Sequence, residues 1–136
     1  MAANTSPIYS RIPDVQWGQV DTANTAKDGT GTVVTVFTAD ATEGGRIEKV
    51  RVRVKGTNVA TVLRLFINNG STNATAANNV LFTEVTLPAT TLSEAAALVE
   101  QEVPLNLSLP PGYKINAAIG TTVAAGYALT GVGGKY

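Results

Sequence analysis

The sequence predicts an all-β fold, a jelly-roll sandwich of two four-stranded antiparallel sheets with an extended N-terminal arm. Three observations predict it. Apolar and polar residues alternate with period two along most of the chain, most cleanly in KVRVRVKG at 49–56. Turn chemistry recurs at short intervals: Lys-Asp-Gly-Thr-Gly at 27–31, Glu-Gly-Gly at 43–45, Asn-Asn-Gly-Ser at 68–71, Pro-Pro-Gly at 110–112 and Gly-Thr-Thr at 120–122. Helical periodicity is nearly absent, and many short strands without helices mean a sandwich or barrel. The Cys–Trp–Cys pattern of an immunoglobulin-type sandwich is missing.

The strands follow in order. Residues 1–13 form the arm, marked by Pro7 and Pro13, with Ile8, Tyr9 and Ile12 as its apolar points. Such a segment is extended, has no core of its own and is expected to order on a neighbouring subunit. The domain runs over 14–136. Its predicted strands are Asp14–Val20, Thr32–Ala39, Arg46–Lys55, Thr61–Asn68, Asn79–Leu87, Leu98–Asn106, Tyr113–Ile119 and Thr122–Leu129, all rich in Val, Ile, Thr, Phe and Tyr. Ser93–Leu98 is the one foothold for a helical turn, with Ser93 as its cap. Gly131–Gly134 reads as a flexible tail.

Composition excludes several kinds of chemistry. There is no cysteine and no histidine. Thiolate nucleophiles, disulfides and sulfur ligands are therefore ruled out, and so is the commonest general base near neutral pH. Ten basic and ten acidic residues balance, so no net field draws in nucleic acid or a membrane surface. No apolar run approaches the roughly 18 residues of a membrane span. MAANTSPIYSRIP lacks the apolar core of a signal peptide. The Asn-X-Ser/Thr sequons then read as chance in an Asn/Thr-rich chain.

Winding eight strands as a jelly roll places the first, eighth, third and sixth in one sheet and the second, seventh, fourth and fifth in the other. The basic third strand then lies beside the sixth. Valines turned inward on both put Arg51 and Arg53 on the same outer face as Glu100 and Glu102. Cross-strand pairs of opposite charge contribute roughly 0.2–1 kcal/mol each and fix register. The row of bases therefore reads first as a solvated, paired face. A nucleic-acid surface needs more uncompensated charge and interleaved aromatics.

The second sheet carries apolar residues on both parities. With Leu63, Leu65 and Ile67 facing the core, Val62 and Phe66 face outward beside Arg64. With Leu81, Val85 and Leu87 inward, Val80 and Phe82 face outward with Glu84. An exposed apolar patch of this kind marks a protein contact. Val62, Phe66, Val80 and Phe82, joined by Ile8 and Tyr9 of the arm, are the predicted subunit interface. The expected assembly is a homodimer, with a trimer as the alternative. A bulge in one strand would shift this parity.

No catalytic, cofactor or metal site emerges. Glu100 and Glu102 are spaced like paired glycosidase carboxylates, about 6.5–7 Å apart along a strand, but nothing signals a cleft or a raised pKa, so they read as charge partners. Asp14, Asp21, Asp28 and Asp40 lack calcium-loop spacing. Gly29–Gly31 lacks the lysine and helix of a phosphate loop. Trp17 reads as a core or edge plug, and Tyr9 and Tyr136 as terminal aromatics that pack on a neighbour.

The C-terminal stretch LSLPPGYKINAAIGTTVAAGYALTGVGGKY resembles the ending of small structural proteins of tailed bacteriophages. A Leu-Pro-x-Gly turn leads into an alternating strand, followed by a Gly-Thr turn, an Ala/Val-rich last strand and a Gly-rich tail. In size and strand rhythm the chain resembles jelly-roll cement, or decoration, proteins of phage capsids. The resemblance implies a non-enzymatic virion protein on the outer surface of the capsid, made in the host cytoplasm. Its partners would be the major capsid protein and itself, with no cofactor, nucleic acid or membrane. A carbohydrate-binding jelly-roll module, as in a fibre or lectin, is the alternative, as is another phage head or tail component.

Overall fold

A computed structural model describes residues 10–136. Eight strands are present: β1 (Ile12–Val20), β2 (Val34–Thr38), β3 (Gly45–Val54), β4 (Thr61–Asn68), β5 (Asn79–Leu87), β6 (Glu100–Leu109), β7 (Lys114–Ile119) and β8 (Tyr127–Lys135). They form two four-stranded sheets, ordered β1-β8-β3-β6 and β2-β7-β4-β5, with antiparallel neighbours throughout. This is the jelly-roll order expected from the sequence.

Alternation builds the core. Val50, Val52 and Val54 of β3 are buried, while Arg51 and Arg53 between them are exposed. Leu63 and Leu65 of β4, Ile115 and Ile119 of β7, and Tyr127 and Leu129 of β8 meet them from both sheets. Each such side chain contributes about 1.5–3 kcal/mol when fully buried. The double-apolar stretch of β2 is resolved by a bulge. Thr35 pairs with Asn116 and Phe37 with Ile115, so Val36 is the extra residue. Val36 and Phe37 are then both buried.

Four sequence expectations are corrected. Ile12 and Pro13, placed in the arm, are the first residues of β1 and pair with Lys135 and Gly134. Ile8 and Tyr9 lie outside the described residues. The last strand runs over Tyr127–Lys135 instead of Thr122–Leu129, so Gly131–Gly134 is paired strand rather than tail. A Cβ on Gly133 would overlap the Arg46 carbonyl oxygen, and one on Gly134 would sit 2.5 Å from Ser10 Cβ. These glycines are what lets β8 lie between β1 and β3. Finally, Ser93–Leu98 forms no helix. Ser93 Oγ accepts the Ala95 N–H at 3.0 Å, a local turn bond that competes with a helical cap. Among the described residues the one helical turn is 3-10, at Ala76–Asn78.

Candidate functional site

The outer face of the first sheet is a lattice of lateral rows. Register aligns Gln19–Ala128–Arg53–Glu100, then Trp17–Thr130–Arg51–Glu102, then Val15–Val132–Lys49–Pro104. Every base of KVRVRVKG has a polar partner here. Arg53 Nη1 donates to Glu100 Oε2 at 2.8 Å, and Lys49 Nζ lies 3.2 Å from Glu102 Oε1. Arg51 contacts Glu100 and stands 3.6 Å from Glu102. Lys55 donates to the Gln19 side-chain oxygen. The two glutamates bridge neighbouring rows, so the charges form one network along β3 and β6.

The other half of this face is apolar and open. Trp17 is 71% exposed and Val15 51%, with Pro13 further along the same side of β1. This corrects the reading of Trp17 as a core or edge plug. Trp17 alternates with Gln16 and Gly18, which point toward β2, so its indole must point away from the sandwich. Gly18 leaves no alternative, because a side chain there would meet Val34 Cγ2 at 2.8 Å and the Thr35 oxygen at 2.9 Å. The sequence did hold a signal for this: Gln16, Gly18 and Val20 share one parity and Val15 and Trp17 the other.

The face predicted as a subunit interface on the second sheet is partly dismantled. Phe66 pairs with Asn116 on the parity opposite Leu63 and Leu65, yet it is fully buried within the protomer. It is therefore not available as an interface side chain. Val62 is half-buried. In β5, Leu65 pairs with Thr83 and Phe66 with Leu81, which makes Phe82 a bulge. The bulge reverses parity: Leu81 joins Phe66 on the outer side, and Val80 takes the side of Ile67. Val80 and Phe82 are 56% and 42% exposed, at the free edge of the sheet rather than in a patch with Phe66. Arg64 is nearly covered. Its Nε donates to Glu84 Oε1 at 2.9 Å, while Nη1 is buried with no partner among the described residues.

Loops fold over the outer side of this second sheet. Asn73 Nδ2 donates to the carbonyls of Gly29 and Gly31 at 3.1 and 3.0 Å, tying the 69–78 turn to the 24–33 loop. Asn24 braces that loop through Thr30 and Thr32. Asn68, itself buried, accepts from the Gly70 N–H and donates to Asn79. Between loop and sheet lies a cleft of about 260 Å³. Its floor is Thr35, Asn68, Lys114 and Asn116, and its wall is residues 70–73.

Among the described residues, no group of three or more Asp, Glu, His or Cys gathers as a metal site, and no helix is long and apolar enough to cross a membrane. Glu100 and Glu102 are engaged with bases rather than set around a cavity. One face joins an aromatic anchor to a charge lattice, and the other holds a polar cleft. Compared with known proteins, the chain matches no family model, no curated protein and no solved structure.

Proposed function

We propose that this chain is a structural virion protein, a capsid cement or decoration protein that sits on the outside of a phage head and clamps neighbouring major-capsid subunits. One observation carries the reading: Trp17 and Val15 stand open on the first sheet, in the same lateral rows as Arg51 and Lys49. Tryptophan and arginine are the residues most enriched at energetic centres of protein interfaces, and a rim of charge gives such a centre specificity. Pro13, Val15 and Val132 extend the apolar surface on one side of the indole, while Thr130, Gln19 and Arg51 border it on the other, the apolar centre and polar rim that a protein partner meets. The jelly roll supplies a rigid platform whose edge β1 is locked to β2, so the anchor is held without loop ordering on binding.

Self-association belongs to the same proposal, with Val80 and Phe82 on the free edge of β5 as its contact. Many copies, each making a modest contact, hold a shell through avidity. Density-gradient purification of virions from the producing host tests the reading. The protein should band with particles in fixed stoichiometry and be released by chaotrope. Finding it only in the soluble fraction of the lysate would reject the reading.

A further inference from the structure

The cleft on the second sheet is chemically one-sided. Its lining contains no Asp or Glu. Lys114 reaches it from β7 and has no carboxylate at ion-pair distance among the described residues, and residues 1–9 contain no Asp or Glu. Asn116, two residues on along the same face, is only 4% exposed. Its Oδ1 accepts the Thr35 hydroxyl at 2.9 Å. That bond turns the amide nitrogen away from Thr35 and leaves it without a partner among the described residues. An amide donor that makes no hydrogen bond among the described residues and an unpaired ammonium on one cleft floor select an anionic oxygen ligand.

The wall adds a second requirement. Ser71 and Thr72 present hydroxyls that both donate and accept, Asn73 has only its side-chain oxygen left as an acceptor because its Nδ2 is held by Gly29 and Gly31, and Val33 is the one large apolar side chain of the lining. A ligand that fits must carry hydroxyls as well as charge. The volume of about 260 Å³ falls below the roughly 300–1,000 Å³ of drug-sized pockets, which suits a single sugar ring. The wall is fixed in advance by Asn73 on Gly29 and Gly31, and by Asn79 on the Asn73 carbonyl at 2.9 Å. We infer that this cleft binds one carboxylate-bearing monosaccharide unit, a uronic acid residue, with Lys114 and Asn116 on the carboxylate and residues 71–73 on the ring hydroxyls. The inference is independent of the capsid reading, which rests on the opposite sheet.

The test is an amide-shift titration of the ¹⁵N-labelled protein with sodium glucuronate, with glucose and acetate as controls. Saturable shifts should cluster at residues 70–73, 114 and 116, with glucuronate about tenfold tighter than either control. Lys114→Gln keeps a polar side chain on a half-buried strand position and should lower glucuronate affinity to the level of glucose. Ser71→Trp, on the exposed loop, should block the cleft and abolish both, which covers the case of a Lys114→Gln variant that does not fold. No saturable shifts, acetate binding as well as glucuronate, or Lys114→Gln binding glucuronate unchanged would each overturn the assignment.

Discussion

Gln16 of β1 holds Thr38 of β2 by both of that residue's backbone groups. Its Oε1 accepts the Thr38 N–H at 2.9 Å and its Nε2 donates to the Thr38 carbonyl at 2.9 Å. β1 and β2 are edge strands of different sheets, so this amide acts as a strand pairing between sheets that the backbone does not make. It closes one side of the sandwich and hides an edge that would otherwise be open to another chain.

Gln16→Ala is expected to lower stability by about 1–3 kcal/mol, since the two bonds to Thr38 and a third to Asp14 are lost and part-buried backbone groups of Thr38 are left unpaired. Gly18→Ala should cost a similar amount, about 1–3 kcal/mol, because its new methyl group meets the Thr35 backbone as well as Val34. Urea unfolding measures both. Wild-type midpoints in the two variants would show that the seam is not closed by this contact.

Asn58 is the hub of the opposite end. Its Nδ2 donates to the buried Tyr127 hydroxyl at 2.8 Å and to the Pro88 carbonyl at 3.0 Å, while its Oδ1 accepts both the N–H and the hydroxyl of Thr90. This ties the turn after β3 to the long connection between β5 and β6. Asn58→Ala is expected to cost about 2–4 kcal/mol through several unpaired buried groups. Burial raises the Tyr127 pKa above its ordinary 10.0, partly offset by the Asn58 hydrogen bond. The folded state therefore holds this proton more tightly than the unfolded chain. Its contribution is complete below pH 10.0 and falls as pH rises through the folded value. Stability of the wild type should decline above that pH, and Tyr127→Phe should decline less steeply. Parallel curves for the two proteins would show that Tyr127 is not the group responsible.

The charge lattice of the first sheet is expected to fix register more than to add stability. A double-mutant cycle on Arg53 and Glu100 should give a coupling of about 0.2–1 kcal/mol, shrinking as salt is added, because both groups are substantially exposed. A coupling of several kcal/mol that salt leaves unchanged would mean that the pair is far less solvated than its exposure indicates.

Much of this fold was legible because its signals are local. β4 and β5 have the bounds that alternation and the flanking turns predict. The jelly-roll winding order then follows from strand number, and with it the neighbourhood of β3 and β6. What was not legible depends on distant backbone. Glycine in 131–134 looks like a tail until β8 is seen squeezed between β1 and β3, where a side chain on Gly133 would strike β3. The bulge at Phe82 leaves no mark in the sequence, and the expected patch of Val62, Phe66, Val80 and Phe82 became one buried side chain, one half-buried one and two edge residues. Trp17 was misread by residue type, since tryptophan is usually covered, although the parity of Gln16 and Gly18 pointed the other way. The cleft was missed because its groups come from three separate segments, 33–35, 68–73 and 114–116, joined by asparagine bonds that no short motif encodes.

The most direct test of the central claim is rebinding to phage heads stripped of the protein by chaotrope, comparing wild type with Trp17→Ala. The indole is 71% exposed, so its removal should shift folding stability by no more than about 0.5 kcal/mol, with an unchanged β circular-dichroism spectrum. An interface centre contributes about 2 kcal/mol or more, close to 30-fold in affinity. Trp17→Ala should therefore leave the heads largely bare at a concentration where wild type saturates them. A folded Trp17→Ala variant that saturates the heads at the wild-type concentration would contradict the account.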